Sequence, residues 1–131
     1  MDDRYKNKKI LLIEDDTFLA DLLSQNFVKE GLVHEVASDG ESGLLKAKAM
    51  LPDLILLDIT LPRIDGYEVL RRLKEDPVLA KCPVIILSNL SQKEEIDKGL
   101  ALGAADFLVK ANVYIGEIVA RAKKVFDESQ K

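Results

Sequence analysis

The chain has 131 residues, 47% of them hydrophobic, and this composition suits one domain with a well-formed core. Acidic residues outnumber basic residues by 23 to 19, and the formal net charge of −4 at pH 7 argues against direct binding to nucleic acid. The single cysteine, Cys82, excludes an internal disulfide bond and a cysteine metal cluster, and no apolar run approaches the ~18 residues of a membrane-spanning helix.

The first 50 residues carry the patterns of two strands and two helices. The polar start, residues 1–6, lacks the apolar segment of a signal peptide, so we expect a cytoplasmic protein. The predicted elements are a buried strand at Ile10–Ile13, an amphipathic helix from Phe18 to Glu30, an edge strand at Val33–Ala37 and a helix from the capping box Ser38–Glu41 to about Met50. Three acids, Glu14, Asp15 and Asp16, follow the first strand. They repel one another unless a cation is nearby, although Asp16 can also cap the next helix.

The apolar run Leu54–Leu57 lies at the centre of the chain, between Asp53 and Asp58. An unbroken aliphatic run of this length is typical of a strand buried on both faces of a parallel sheet. Pro62 cannot join a sheet ladder, so the strand ends near Asp58. This places the Asp58 carboxylate at the carboxyl end of the strand, where open α/β sheets bind their ligands. The alternative is that Asp58 only caps a turn or the next helix.

The second half of the chain continues the alternation of helices and strands. The predicted elements are a helix that Asp65 caps and Asp76–Pro77 ends, a buried strand at Pro83–Leu87, a helix from the capping box Ser91–Glu94 to about Leu102, a short strand at Phe107–Val109 and a helix with the apolar stripe Ile115–Phe126. Two polar residues, Ser88 and Lys110, follow the last two strands. Five strand–helix pairs predict an α/β fold, a doubly wound parallel sheet with helices on both faces.

The carboxyl ends of parallel strands lie along one edge of a sheet, so the polar residues that follow the strands are expected to meet there. The residues concerned are Glu14, Asp15, Asp16, Asp58, Ser88 and Lys110. Carboxylates on neighbouring strands suit Mg²⁺, which prefers oxygen ligands. Lysine and hydroxyl groups hold phosphoryl oxygens, and the chain has no Gly-rich nucleotide loop. The pattern therefore predicts phosphoryl transfer to an aspartate, with Mg²⁺ between two acids.

Taken in order, these motifs resemble those of a two-component response-regulator receiver domain. The motifs are Ile13–Asp16, Asp58–Gly66, Ser88 and Gly103–Lys110, and the resemblance runs from about Lys9 to Phe126. That range is the expected core of a single domain over residues 1–131. The resemblance implies a flavodoxin-like, five-stranded parallel sheet with strand order 2-1-3-4-5.

The resemblance also implies which residues bind the metal and the phosphoryl group. Asp58 matches the phosphoacceptor. Glu14 and Asp15 match the acidic pair that holds Mg²⁺, and the backbone carbonyl of Thr60 would complete the metal site together with Asp58. Ser88 matches the hydroxyl residue that binds the phosphoryl group.

Two further positions match the family, and one departs from it. Lys110 matches the lysine that pairs with the acceptor carboxylate. Phe107 matches the switch aromatic, whose ring turns inward when Ser88 moves to the phosphoryl group. In the family a proline follows this lysine, commonly through a cis bond, whereas Ala111 follows it here. Because a cis bond before alanine costs roughly 3–4 kcal/mol, we predict a trans bond.

As a receiver, the chain would be a signalling module and not an enzyme. It would accept the phosphoryl group from a sensor histidine kinase or a histidine phosphotransfer protein. Phosphorylation would change the surface of the fourth helix, fifth strand and fifth helix, which would bind an unidentified downstream protein or a second copy of the chain. No contact with a membrane or with nucleic acid is expected.

Three other functions stay open from the residues alone. A flavodoxin-like cofactor-binding module would need a phosphate-cradling loop after the first strand, where this chain is acidic. A phosphohydrolase with an aspartate nucleophile would need a second aspartate as general acid two residues after Asp58, where Thr60 lies. A degenerate receiver that serves only for protein interaction would not need the full set of acids with Ser88 and Lys110.

Overall fold

Five parallel strands form one sheet in the computed structural model, which describes residues 3–129. The strands are β1 (Lys9–Ile13), β2 (Val33–Ala37), β3 (Leu54–Leu57), β4 (Val84–Ser88) and β5 (Asp106–Val109). Their order in the sheet is β2-β1-β3-β4-β5, so the predicted fold class and strand order are confirmed. The single-domain prediction also covered residues 1, 2, 130 and 131, which lie outside the described residues.

Within the same residues, five α-helices follow the strands and cover both faces of the sheet. They are α1 (Thr17–Lys29), α2 (Gly40–Met50), α3 (Gly66–Glu75), α4 (Lys93–Ala101) and α5 (Ile115–Ser129), and three short 3₁₀ helices lie at Asp3–Tyr5, Leu79–Lys81 and Lys110–Asn112. One face packs against α1 and α5, and the other packs against α2 and α3. None of the described helices is both long enough and apolar enough to span a bilayer.

The strand β3 occupies the middle of the sheet, between β1 and β4. All four of its side chains are fully buried, because helices cover both faces of the sheet at this point. The apolar run ends at Asp58, whose amide donates a hydrogen bond to the Ile13 carbonyl at 3.0 Å. The parallel crossovers bring the carboxyl ends of β1, β3, β4 and β5 to one edge of this sheet.

Two helix starts lie one residue beyond the predicted position. Asp39, and not Ser38, caps α2, and its carboxylate accepts a hydrogen bond from the Ser42 amide at 2.8 Å. Gln92, and not Ser91, precedes α4, where the Gln92 amide donates to the Glu95 carboxylate at 3.1 Å. In both segments two neighbouring polar residues fit the capping pattern, and the backbone geometry selects the second.

The Cys82 thiol is expected to resist alkylation in the native protein. Cys82 is only 8% exposed, its Sγ donates to the Pro52 carbonyl at 3.3 Å, and burial raises the pKa of the thiol to about 12. Only the thiolate is nucleophilic, so at pH 8 the reaction with iodoacetamide should be at least ~100-fold slower than in denaturant, where the pKa returns to about 8.5. Measured mass against time under the two conditions checks this, and equal rates would contradict the buried position.

Candidate functional site

A pocket opens at the edge of the sheet where β1, β3 and β5 end. Its described lining residues are Glu14, Asp15, Asp16, Asp58, Thr60, Asn89 and Lys110. The strand register explains why the acids meet, because Ile13 pairs with Leu57 and the next residues, Glu14 and Asp58, therefore emerge side by side. The sheet edge thus collects carboxylates from two adjacent strands, as predicted from the sequence.

The Lys110 side chain forms ion pairs with two of these carboxylates. Its ammonium nitrogen lies 2.7 Å from Glu14 Oε1 and 3.1 Å from Asp58 Oδ2. The side chains are 15%, 1% and 5% exposed for Lys110, Glu14 and Asp58, so solvent screens these pairs only weakly. Burial alone would lower the pKa of Lys110, but the contacts with Glu14 and Asp58 outweigh burial and raise it. The lysine is therefore a permanent positive charge in this pocket.

Glu14 is a buried carboxylate whose charge is only partly compensated. Burial raises its pKa to about 7, and the nearby Asp58 charge acts in the same direction, while Lys110 and the Asp16 amide oppose them. Glu14 Oε2 accepts a hydrogen bond from that amide at 3.1 Å. The contact of Oε1 with Lys110 has the distance of an ion pair but not the angles of a hydrogen bond, and Oε1 has no other partner among the described residues. A buried oxygen in this state favours an additional cation.

Three carboxylates are arranged as a divalent cation would require. One carboxylate oxygen each from Glu14, Asp15 and Asp58 lies within 4.8 Å of the other two. Glu14 and Asp58 are buried, whereas Asp15 is exposed and therefore accessible to an ion from solvent. A donor set made only of oxygen fits Mg²⁺, a hard cation that keeps several water ligands. The residues therefore fit the metal that the sequence predicted.

The two oxygens of the Asp58 carboxylate have different partners. Oδ2 faces Lys110, as described, and Oδ1 accepts a hydrogen bond from the Thr60 amide at 3.3 Å. The sequence did not predict this second contact, because every residue except proline has a backbone amide and side-chain patterns carry no signal for it. Thr60 lines the pocket, and the role of its carbonyl as a metal ligand stays a prediction.

Ser88 and Phe107 lie outside the described lining of this pocket. Ser88 is the last residue of β4, is fully buried, and its Oγ accepts a hydrogen bond from the Leu90 amide at 3.3 Å. Phe107 lies on the next strand, paired with Ile86, and its half-buried ring packs against the core on the α2 and α3 face. The structure therefore brings together the carboxylates and the lysine. The two residues with predicted switch roles, Ser88 and Phe107, lie on the neighbouring strands β4 and β5.

The peptide bond between Lys110 and Ala111 is trans, as predicted. Lys110 begins a short 3₁₀ helix directly after β5, and it reaches Asp58 in this backbone conformation. Asn89, which follows Ser88 and is exposed, also lines the pocket.

Comparison with known proteins places these features in one family. A family model described as the response regulator receiver domain matches residues 10–123. Among curated proteins, the chain is similar to the alkaline phosphatase synthesis transcriptional regulatory protein PhoP of Bacillus subtilis, with 39% identity over 95% of this chain and 50% of the relative. It is also similar to RpaA of Synechocystis, a DNA-binding dual master transcriptional regulator, with 36% identity over 94% of this chain and 51% of the relative. The chain thus spans about half the length of these relatives.

Experimental structures with the same fold cover nearly all of the chain. The receiver domain of the Francisella response regulator 1452 is 31% identical, with a TM-score of 0.87 over 94% of this chain and 99% of the other. A CheY-like receiver domain protein from Methanospirillum hungatei is 27% identical, with a TM-score of 0.88 over 95% of this chain and 98% of the other.

Proposed function

The chain belongs to the response regulator receiver domain family, and from this membership we propose that it accepts a phosphoryl group on Asp58. The observation that carries the proposal is the position of that carboxylate, which lies at the end of a buried strand between the Lys110 ammonium and the Thr60 amide. The donor would be a phosphohistidine of a sensor histidine kinase or of a phosphotransfer protein. As a receiver domain, the chain is a signalling module of a two-component system.

The transfer needs little covalent chemistry from the protein. The bond from phosphorus to the histidine nitrogen breaks as a bond to an Asp58 oxygen forms, and the freed imidazole takes a proton from solvent. Lys110 and the Thr60 amide orient the Asp58 carboxylate and then neutralise charge on the phosphoryl oxygens. Mg²⁺, held by Glu14, Asp15, Asp58 and the Thr60 carbonyl, would supply the remaining positive charge.

Phosphorylation would be transmitted through the adjacent strands. The new anionic oxygens would attract the Ser88 hydroxyl, which now accepts a hydrogen bond from the Leu90 amide. Movement of Ser88 would free space for the Phe107 ring and change the surface of α4, β5 and α5. That surface would bind a downstream protein or a second phosphorylated copy of the chain, in the cytoplasm.

Replacing Asp58 by asparagine should abolish phosphorylation. We expect the wild-type protein to gain the mass of one phosphoryl group when it is incubated with acetyl phosphate and Mg²⁺, and to gain none in chelator. Asp58→Asn removes the nucleophilic oxygen and should stay unmodified under both conditions. Asp53→Asn is the matched control, because Asp53 flanks the opposite end of the same strand and should not affect labelling. Equal labelling of wild type and Asp58→Asn in intact-mass spectra would place the acceptor elsewhere.

Mg²⁺ should stabilise the fold through the carboxylate cluster. A ligand that binds only the native state at ten times its dissociation constant adds about 1.4 kcal/mol to the free energy of unfolding, which thermal denaturation at pH 8 can resolve. Asp15→Asn is expected to keep or slightly raise the metal-free melting temperature, because Asp15 is exposed and its charge is repelled by the neighbouring acids, and to lose most of the shift caused by Mg²⁺. If this variant shifts as much as the wild type, Asp15 is not a metal ligand.

A further inference from the structure

The helix α4 is held to the domain by few buried side chains. All nine of its residues are described, and Gly99 alone among them is buried. A Cβ atom at Gly99 would lie 2.6 Å from Ile86 Cδ1 and 3.2 Å from Phe107 Cδ2, so the bare backbone of α4 rests on β4 and β5. By comparison, α5 buries four side chains, including Phe126. Burial of apolar side chains therefore contributes little to fixing the position of α4.

A single side chain of α3 contacts two successive turns of α4. The Tyr67 hydroxyl donates a hydrogen bond to the Glu95 carbonyl at 2.9 Å, in the first turn of α4. The Lys98 ammonium lies 4.3 Å from the centre of the Tyr67 ring, which is within the range of a cation–π contact. Beside these contacts, α3 and α4 are separated by a surface groove that Ile64 and Leu102 also line. Tyr67 thus bridges a gap that side-chain packing leaves open.

The hydroxyl of Tyr67 is suited to act as a permanent donor. Burial, together with the nearby charges of Glu95 and Asp65, raises the pKa of Tyr67 above its usual value of 10. The hydroxyl therefore keeps its proton throughout the neutral range. The acceptor is the main-chain carbonyl of Glu95, so the hydrogen bond restrains the backbone of α4 and not a side chain.

The segment that leads into α4 starts at Ser88. Residues 89–92 alone separate Ser88, at the end of β4, from Lys93, the first residue of α4. The Leu90 amide, in the middle of this segment, is bonded to Ser88 Oγ. A displacement of the Ser88 hydroxyl would therefore alter the position of this segment and of the first turn of α4 that follows it. The Tyr67 hydroxyl is hydrogen-bonded to the same turn.

We propose that Tyr67 is a positioning residue that holds α4 against α3 in the unphosphorylated protein, so that its hydroxyl opposes the conformational change that is coupled to phosphorylation. The first part concerns the unphosphorylated structure alone. The second part rests on the proposed phosphorylation of Asp58. The two parts make separate predictions, so they can be tested in separate measurements.

The variant Tyr67→Phe isolates the hydroxyl group. It keeps the ring, its packing and the Lys98 contact, and it removes only the hydrogen bond to Glu95. Amide hydrogen exchange of the metal-free, unphosphorylated protein, followed residue by residue by NMR, should show the amides of α4 exchanging about 2- to 10-fold faster, with α1 and α5 unchanged. Tyr114→Phe is the matched control, since Tyr114 is 83% exposed and its variant should leave all helices unchanged. Unchanged exchange in α4 of Tyr67→Phe would overturn the proposal.

The coupling to phosphorylation is tested with acetyl phosphate and Mg²⁺. Tyr67→Phe should be phosphorylated faster than wild type, by a factor similar to the increase in the exchange rate of the α4 amides. The reason is that the hydrogen bond from Tyr67 to Glu95 no longer opposes the conformational change. A purely structural role would accelerate exchange in every helix and leave this rate unchanged or lower it, which would overturn the proposal. If amide exchange in α4 becomes faster in Tyr67→Phe but neither protein accepts a phosphoryl group, the role of Tyr67 in holding α4 is supported and the proposed function of Asp58 is wrong.

Discussion

Replacing Gly66 by alanine is expected to destabilise the fold and to remove most of the phosphoryl acceptance. A Cβ atom at this position would lie 2.2 Å from the Asp58 carbonyl oxygen and 2.7 Å from Ile59 Cα. Both are backbone atoms and cannot rotate away, and the Gly66 amide also donates to the Ile59 carbonyl at 2.8 Å. Overpacking of this kind costs roughly 1–3 kcal/mol or more. Because Asp58 itself must move, the rate of phosphorylation should fall about 100-fold.

Gly116→Ala is the matched control for this substitution. Gly116 lies in α5, and a Cβ atom there would have no neighbour within 4 Å. Because Gly116 lies in the first turn of α5, alanine should leave the free energy of unfolding unchanged or raise it slightly, with no effect on phosphorylation. Thermal denaturation and the rate of reaction with acetyl phosphate check both variants. A Gly66→Ala protein with wild-type stability and wild-type rate would contradict this prediction, because it would show that the backbone of Asp58 and Ile59 can shift to accommodate the methyl group.

Replacing Lys110 by methionine should reduce both stability and phosphorylation. The variant keeps an apolar stem but leaves the buried Glu14 and Asp58 carboxylates without a counter-ion. Removal of one partner from a buried ion pair typically lowers the free energy of unfolding by roughly 3–5 kcal/mol. Under the proposed function the ammonium would also stabilise the phosphoryl oxygens, so its loss should lower the rate of phosphorylation on the order of 100-fold. Lys124→Met, at an exposed position of α5, is the control and should change neither property.

The loss of stability in Lys110→Met should depend on pH in a defined direction. A carboxyl group with a raised native pKa stabilises the fold at low pH, and this contribution disappears as the pH rises through the native value. For Glu14 the contribution is lost between pH 4.5, its ordinary pKa, and about 7, its native pKa. Because Lys110 lowers the native pKa of Glu14, this value is higher in the variant. In chelator, the deficit relative to wild type should be larger at pH 8 than at pH 5, and Asp58→Asn should restore part of it. Denaturant unfolding at the two pH values measures this, and a deficit that grows on acidification would contradict it.

The sheet and the collection of polar residues at its edge followed from the sequence because both depend on simple periodicity. Runs such as Leu54–Leu57 have one stable environment, a strand covered on both faces, and the alternation with helices makes the strands parallel. Once the strands are parallel, the residues after them share an edge, and the sequence therefore predicts that Glu14, Asp58 and Lys110 meet there. Their functional roles remain proposals.

Features that depend on the backbone could not be predicted in this way. The capping pattern predicts the starts of α2 and α4 one residue early, because Ser38 and Ser91 match this pattern while the backbone geometry selects Asp39 and Gln92. Leu51 and Arg63 have positive φ angles of 47° and 67°, a conformation in which glycine and asparagine are more usual. The hydroxyl partner of Tyr67 is a carbonyl, which every residue possesses, so no sequence pattern signals that bond.

The weak anchoring of α4 has a thermodynamic consequence for any protein that binds this helix. If phosphorylation of Asp58 and release of α4 favour each other, the coupling free energy acts equally in both directions. A saturating partner that binds only the released helix therefore multiplies the equilibrium ratio of phosphorylated to unphosphorylated protein by the same factor by which phosphorylation tightens the binding of the partner. A partner that binds α4 while it is held against α3 lowers the ratio of phosphorylated to unphosphorylated protein, and it does so without contacting the acidic pocket.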